Sequence, residues 1–288
     1  MNGNKTTAIS AERRTQRGIS VLAFFVPAFI MLVLFIIRGI YPFGDRSFLF
    51  SDMYHQYMPF LSEFVHKIKA GEGLSYSYNV GIGSNFLALY VYYVASPFNW
   101  LVFLLPESLI MEFMSYLVIL RIGLMGLTFS IYLRKTFGKA DPAVILFSTC
   151  YALSGYLAAY NWNVMWLDTF ALLPLVALGT VCLLKEKKFF LYTITLFLSV
   201  YSNYYIGFFT CIFVFLLFFV YEICRWGGWK KLFADFGRIA LFSLLALGMT
   251  AILTFPALSA LQTTQSSVNN FPTGFRLNIA KENTIKGL

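Results

Sequence analysis

Charged side chains are scarce in this chain of 288 residues. Aspartate, glutamate, lysine and arginine make up 12% of it, against roughly 25% in a soluble domain, which excludes an ordinary water-soluble fold. The 59% hydrophobic content, with 32 Phe and 18 Tyr, instead indicates an integral membrane protein. The net charge of +9 does not indicate nucleic-acid binding, because the basic residues lie in clusters between apolar runs rather than in one patch.

Cysteine and glycine motifs are also sparse. Cys150, Cys182, Cys211 and Cys224 all lie in or beside apolar runs, and none has the spacing of a metal knuckle. They therefore predict buried apolar thiols without disulfides. The lone Gly81-Ile82-Gly83 follows no strand and carries no dinucleotide fingerprint, so it predicts a turn and not a phosphate cradle.

The hydrophobic runs predict an all-α, polytopic transmembrane helix bundle. The first run follows a basic flank and has no small-residue cleavage site, so we expect it to be retained as a helix. The run 189–223 is interrupted at Ser202-Asn203-Tyr204-Tyr205 and predicts two short helices that turn at Asn203. The expected spans are 19–37, 108–133, 143–160, 169–184, 189–202, 206–223 and 239–258.

One further apolar stretch, 85–106, is long enough to span but is broken by Ser96-Pro97. If it does not cross, every dense basic cluster lies on the side of the N-terminus, as the positive-inside rule requires. We therefore expect 85–106 to form a broken hairpin against the outer side of the membrane. The prediction has seven spans, a cytoplasmic basic tail 1–18, an outer loop 38–107 and an extracytoplasmic tail 259–288.

The outer loop contains the most informative polar stretch, SDMYHQYMPF (51–60). Residues 52–69 place apolar side chains along one stripe, which is typical of an amphipathic helix in the membrane interface. Asp52 is interpreted either as a helix N-cap after Ser51 or as a base or metal ligand facing a cavity. Asp45 is a second candidate carboxylate or a turn residue, and His55 is a metal ligand or a surface hydrogen-bonding residue.

Two polar features lie deeper in the bundle. Arg121 is near the middle of the run 108–133, where a charge marks a functional site or a buried ion pair. Asp168, Glu222 or a lipid phosphate could pair with it. The loop NWNVMWLD (161–168) combines tryptophans with Asn and Asp, which suits interface anchoring and also sugar binding.

Six short stretches, in their order and spacing, resemble the YfhO family of bacterial membrane proteins over roughly residues 20–260. They are YPFGD (41–45), SDMYHQYMPFL (51–61), NVGIGSNF (79–86), YYVASPFNWLVFLLP (92–106), MWLDTFALLPL (165–175) and SNYYIGFF (202–209).

The resemblance implies a GT-C-like glycosyltransferase in the bacterial cell membrane. Its expected donor is a polyprenyl-phosphate-linked sugar, used on the outer face to glycosylate a cell-surface polymer such as lipoteichoic or wall teichoic acid. In such enzymes an essential acidic residue lies in the first outer loop, and Asp52 matches that position. Members are typically longer, with further spans and an outer C-terminal domain, so the resemblance implies that this chain corresponds to their N-terminal portion.

These observations lead to one main hypothesis and two alternatives. The main hypothesis is a transferase in which Asp52 is the catalytic base or holds a divalent cation, Mg²⁺ or Mn²⁺. The alternatives are a flippase or transporter of lipid-linked sugar, which the broken run 189–223 favours, and a non-catalytic membrane scaffold. The basic residues expected to bind the donor phosphate are Arg121, Arg38 and Arg46. The other candidate substrate or lipid-phosphate residues are Asp45, His55, Gln56, Asn161, Asp168, Asn203 and Tyr204.

Overall fold

The computed structural model of the chain describes residues 2–262, with side chains from residue 15 onward. Within that range the regular structure consists of helices, and there is no β-strand. This confirms the predicted all-α bundle. The α-helices are α1 Asn2–Arg38, α2 Met58–Ala70, α3 Phe86–Leu89, α4 Ile110–Phe137, α5 Pro142–Ala152, α6 Gly155–Tyr160, α7 Leu167–Glu186, α8 Phe190–Ser202, α9 Tyr204–Cys224 and α10 Trp229–Gln262.

Shorter helical segments of other types join these helices. Two are π-helical turns, Met53–Tyr57 before α2 and Tyr90–Val94 after α3. Three have 3₁₀ geometry: Pro97–Leu104, Glu107–Leu109 and Val164–Trp166.

Six helical segments in the described part of the chain are long and apolar enough to cross a membrane, and they coincide with six of the seven predicted spans. They are Thr15–Arg38, Glu107–Phe137, Pro142–Tyr160, Val164–Glu186, Tyr204–Cys224 and Trp229–Gln262. The seventh predicted span, 189–202, corresponds to α8. Its 13 residues extend only about 20 Å, which is less than a hydrocarbon core of about 30 Å.

Although α8 is short, it still reverses the chain as predicted. Position 179 of α7 approaches the backbone of Tyr192, and the Thr169 hydroxyl donates to the Ser199 carbonyl at 3.3 Å. These contacts run in opposite directions along the two helices, so α8 lies antiparallel to α7. The chain then turns at Asn203, which has an extended backbone and begins α9. Asn203 therefore lies near the end of the bundle where α7 begins.

The stretch 85–106 is broken where the proline predicted it. Its two halves, Phe86–Val94 and Pro97–Leu104, are bent by 96°. Ser96 forms the bend, and its hydroxyl caps the second half by accepting from the amide of Phe98 at 3.2 Å. We call this pair of segments the bent pair. Its bend reaches Arg121, twelve positions into α4, so the bent pair enters the bundle more deeply than a hairpin resting on its surface.

The helix predicted over 52–69 is observed as the π-helical turn Met53–Tyr57 followed by α2, while its place in the membrane interface stays a prediction. It has Pro59 in its first turn and ends at Gly71, whose φ of 69° suits glycine. The predicted apolar stripe faces inward, with Leu61, Phe64 and Val65 buried. Two charged residues off the stripe, Glu63 and Lys67, are also buried, which the helical period did not predict.

Two predicted segments reach the limits of the described range. The basic flank within 1–18 continues into the first span as part of α1 from Asn2. Of the predicted tail 259–288, residues 259–262 continue α10, and the remainder lies outside the described residues. The side of the membrane on which each terminus lies stays a prediction.

Candidate functional site

Asp52 lies half-buried at the start of the π-helical turn Met53–Tyr57. Its side chain makes no capping hydrogen bond to the turn, so the N-cap interpretation of this residue is wrong. The preceding residue, Ser51, has a positive φ of 52°, which turns the chain sharply before the carboxylate. The Asp52 carboxylate is therefore not occupied in capping the turn that follows it.

Aromatic rings from four separate segments gather beside Asp52. Tyr57 stacks on Trp162 at a centroid distance of 6.5 Å and lies 5.4 Å from Tyr93. Tyr92 extends the group to Tyr204 at 5.6 Å and to Tyr205 at 6.2 Å. We call the group the aromatic site, and its members are Tyr57, Tyr92, Tyr93, Trp162, Trp166, Tyr204 and Tyr205.

Hydrogen bonds between segments hold this group together. The hydroxyl of Tyr57 donates to Oδ1 of Asn163 at 2.8 Å, and the hydroxyl of Tyr93 donates to Oε1 of Gln56 at 3.3 Å. The amide of Asn203 donates to the carbonyl of Tyr92 at 2.9 Å. The first loop, the bent pair, the 161–168 loop and the start of α9 thus meet at one place.

The ionisation of Tyr57 separates its role from that of Asp52. Burial, and then the negative charge of Asp52, raise the pKa of the Tyr57 hydroxyl above its usual range. Tyr57 therefore stays protonated at neutral pH and serves as a hydrogen-bond donor. Asp52 supplies the carboxylate at this place.

Both π-helical turns of the described chain contribute to the aromatic site. Met53–Tyr57 supplies Tyr57, and Tyr90–Val94 supplies Tyr92 and Tyr93. A π-helical turn widens the helix by one residue, is rare, and frequently occurs at functional sites. Two such turns therefore lie near the carboxylate of Asp52, as is common at functional sites.

Arg121 and Asp168 form a buried ion pair behind the aromatic site. Nε of Arg121 donates to Oδ1 of Asp168 at 3.0 Å, and Nη2 lies 2.9 Å from Oδ2. Both side chains are fully enclosed, with exposed fractions of 0% and 1%. Of the three partners considered for Arg121, the structure therefore places Asp168 against it.

The same guanidinium also holds the bend of the bent pair. Nη2 donates to the hydroxyl of Ser96 at 2.9 Å and to Oδ1 of Asn99 at 3.4 Å, while Oδ2 of Asp168 contacts Nη2 without hydrogen-bond geometry. The amide of Asn99 donates back to the carbonyl of Val94 at 3.0 Å. Arg121 thus joins α4, the start of α7 and the bend, which fixes the backbone that carries Tyr92 and Tyr93.

An apolar groove of about 360 Å³ adjoins the aromatic site. It begins at Trp166 and Tyr205 and continues between α7 and α9 past Leu173 and Phe209 to Phe213. Because α9 rises about 1.5 Å per residue, the groove follows it for about 12 Å between Tyr205 and Phe213. Its lining suits a hydrocarbon chain.

The remaining predicted residues lie apart from Asp52 or make local contacts. Asp45 is exposed in the turn after α1, where the amide of Arg46 donates to the carbonyl of Gly39 at 3.0 Å. His55 is exposed and packs edge-on against Tyr54. The amide of Asn161 donates to the carbonyl of Ala158 in the preceding helix α6 at 3.2 Å.

No three His, Cys, Asp or Glu side chains among the described residues come together to hold a metal ion. Asp52 could still provide one oxygen to Mg²⁺, which commonly combines one or two carboxylates with substrate phosphates.

Several residues of the site were not predicted. Asn163, Tyr57 and Tyr93 join segments far apart in sequence, and Ser96 and Asn99 accept from Arg121. The dense tyrosines of 90–94 and the polar residues flanking Pro97 were the available signals for the bent pair. Nothing in the local pattern distinguished Asn163 from Asn161.

The fold and the site define a polytopic α-helical membrane protein whose first loop builds a polar and aromatic site against the bundle. Residues 23–282 match the family described as "Bacterial membrane protein YfhO". The chain belongs to this family, as its motifs indicated. Searches among curated proteins and among solved structures find no match.

Proposed function

We propose that the protein is a membrane glycosyltransferase that uses a polyprenyl-phosphate-linked sugar and acts on a cell-surface polymer, such as lipoteichoic or wall teichoic acid. The observation that carries the proposal is the carboxylate of Asp52, which makes no capping bond and lies beside Tyr57 and Tyr93 of the aromatic site. Flat aromatic faces beside carboxylate and amide groups suit a sugar ring, because the rings contact C–H groups while the polar groups bond the hydroxyls.

In the proposed reaction, the oxygen of an acceptor hydroxyl attacks the anomeric carbon of the donor sugar. Asp52 accepts the proton of that hydroxyl. A new bond forms between that oxygen and that carbon. The bond from the anomeric carbon to the phosphate oxygen breaks, and its electron pair leaves with the polyprenyl phosphate. The protonated Tyr57 cannot take the role of base.

The donor lipid is proposed to lie in the apolar groove between α7 and α9, with its phosphate towards the aromatic site. Trp166 and Tyr205 belong to both the groove and the aromatic site, so a chain in the groove would present its head group there. Arg121 is already compensated by Asp168, which leaves the exposed Arg38 and Arg46 as the better candidates for binding the phosphate. A divalent cation shared by Asp52 and the phosphate would neutralise the same charge.

The alternative of a lipid-linked-sugar transporter rested on a charge at membrane depth and on the broken run 189–223. The charge, that of Arg121, is paired with Asp168. The break in 189–223 is a packed turn in which Gly207 approaches Val200. Neither feature therefore favours a transport path in this structure.

Sugar transfer by the purified protein tests the proposal. In detergent, where no second compartment exists, the enzyme should transfer radiolabelled sugar from a polyprenyl-phosphate donor to poly(glycerol phosphate) or poly(ribitol phosphate). A transporter or scaffold should leave the label on the lipid under the same conditions. Well-folded protein that binds donor and transfers no label to either polymer would contradict the enzyme assignment.

A further inference from the structure

A separate groove of about 630 Å³ runs along the exposed face of α2. The two histidines of the chain, His55 and His66, both line it. They are eleven positions apart, which on a helix corresponds to about 16 Å. In a chain with so few polar residues, both imidazoles thus face one elongated surface.

The opposite wall of this groove is held in place by a buried network. Oε1 of Glu63 accepts from the Ser77 hydroxyl at 2.6 Å, and Oε2 accepts from the Asn79 amide at 2.9 Å. Burial alone would raise the pKa of Glu63, but these hydrogen bonds and the charge of Lys67 outweigh it and keep the pKa below its ordinary value. The ionised Glu63 therefore fixes the segment carrying Asn79 and Gly81 against α2.

The groove adjoins the aromatic site at one contact between rings. Phe60 lines the groove, and its ring centroid lies 4.9 Å from that of Tyr93. His55 is three positions after Asp52, about one helical turn away. The end of the groove at His55 therefore lies about one helical turn from Asp52.

The lining of the groove combines hydrogen-bonding groups with apolar surface and has little net charge. His55, His66, Ser62 and Asn79 offer donors and acceptors, while Pro59 and Phe60 offer faces for C–H groups. The carboxylate of Glu63 lies 3.7 Å from Lys67, and that of Glu107 lies 2.9 Å from Lys69. This balance suits a ligand recognised through its hydroxyls.

We propose that this groove binds the hydroxyl-bearing chain of the acceptor and delivers one hydroxyl to Asp52. The identification of the ligand as an acceptor rests on the proposed function, whereas binding itself can be measured without transfer. A polyol phosphate and a neutral glycan share the required run of hydroxyls, so both are tested.

The test uses the full chain in lipid nanodiscs and two fluorescent probes, a poly(glycerol phosphate) hexamer and an N-acetylglucosamine hexamer. We expect one probe to bind, and the double variant H55A/H66A to weaken binding by about tenfold or more, because two hydrogen-bonding side chains are removed. Thermal unfolding should not change, since both histidines are exposed. The matched control is Tyr78→Ala. The Tyr78 side chain lies in the segment between α2 and α3, is 82% exposed and does not line the groove.

Equal binding by H55A/H66A and the wild type would overturn the proposal, as would the absence of binding by both probes. The variant Asp52→Asn separates the two proposals. It should bind the probe with wild-type affinity even where transfer is lost. Probe binding that depends on the histidines, in a protein that transfers no sugar, would retain the groove and reject the enzyme.

Discussion

The ion pair of Arg121 and Asp168 shows why single polar residues of this chain have large effects. Two fully enclosed charges are tolerated in a membrane bundle because each compensates the other. The guanidinium also bonds Ser96 and Asn99, so it contributes to the position of the bent pair as well as to charge balance. Removing one partner leaves an uncompensated buried charge.

Arg121→Gln should therefore lower the free energy of unfolding by about 3–5 kcal/mol, the usual loss when one partner of a buried pair is removed. Adding Asp168→Asn should recover part of that loss, because no unpaired charge then remains. Unfolding of purified protein in detergent measures both effects, with the exposed Arg38→Gln as control. An Arg121→Gln protein of wild-type stability that no longer binds donor would instead assign Arg121 to the phosphate.

The sequence predicted the roles of some single residues, and left others unrecognised. A charge at Arg121 could be recognised as costly from its depth alone, and Asp168 was one of three partners considered. Asn163 and Glu63 could not be recognised, because their environment is created by segments distant in sequence. Asp52 was identified from its position, while the capping role considered for it was wrong.

Among the helical elements, breaks in the apolar runs were predictable and the π-helical turns were not. Proline at position 97 removes a backbone donor, and Asn203 interrupts an apolar run, so each marks a bend that the structure confirms. The turns at Met53–Tyr57 and Tyr90–Val94 depend on packing between the first loop and the bent pair. Their residues have no local feature that selects a π-helix over an α-helix.

Asn203 makes one hydrogen bond within α9 and one to the bent pair. Substitutions that remove one or both of these bonds test what each contributes. Oδ1 of Asn203 caps α9 by accepting from Ile206 at 2.9 Å, and its amide holds the carbonyl of Tyr92. Asn203→Ser should keep the cap and lose the second bond, so stability should fall little. Asn203→Ala loses both and should cost about a further 1 kcal/mol.

Transfer by both Asn203 variants should decrease, because Tyr92 and Tyr93 lose a fixed backbone. Asn161→Ala, which removes a side chain that bonds the adjacent end of α6, is the matched control. Parallel unfolding and transfer assays separate the two effects. Wild-type transfer by Asn203→Ser would show that the bond to Tyr92 is not needed for the site.

For the whole molecule, the membrane class, the helical bundle and the family were all predictable from composition and motifs. Helix length alone does not fix the number of crossings. In the described part of the chain six helices are long enough to cross, the bent pair would make a seventh if it counts as one span, and α8 is shorter although it returns the chain to the end of the bundle near Asp168. The positive-inside rule still predicts that this end faces outward. That orientation is the one at which a cell-surface polymer could be reached.

The central claim is that Asp52 makes this membrane protein an enzyme. Asp52→Asn keeps the size of the side chain and removes the charge that a base requires. In a deletion strain complemented with the variant, sugar on the teichoic acid should fall by about a hundredfold or more, at equal protein level in the membrane. Asp45→Asn, in the exposed turn after α1, should restore the sugar fully. Full restoration by Asp52→Asn would contradict the account.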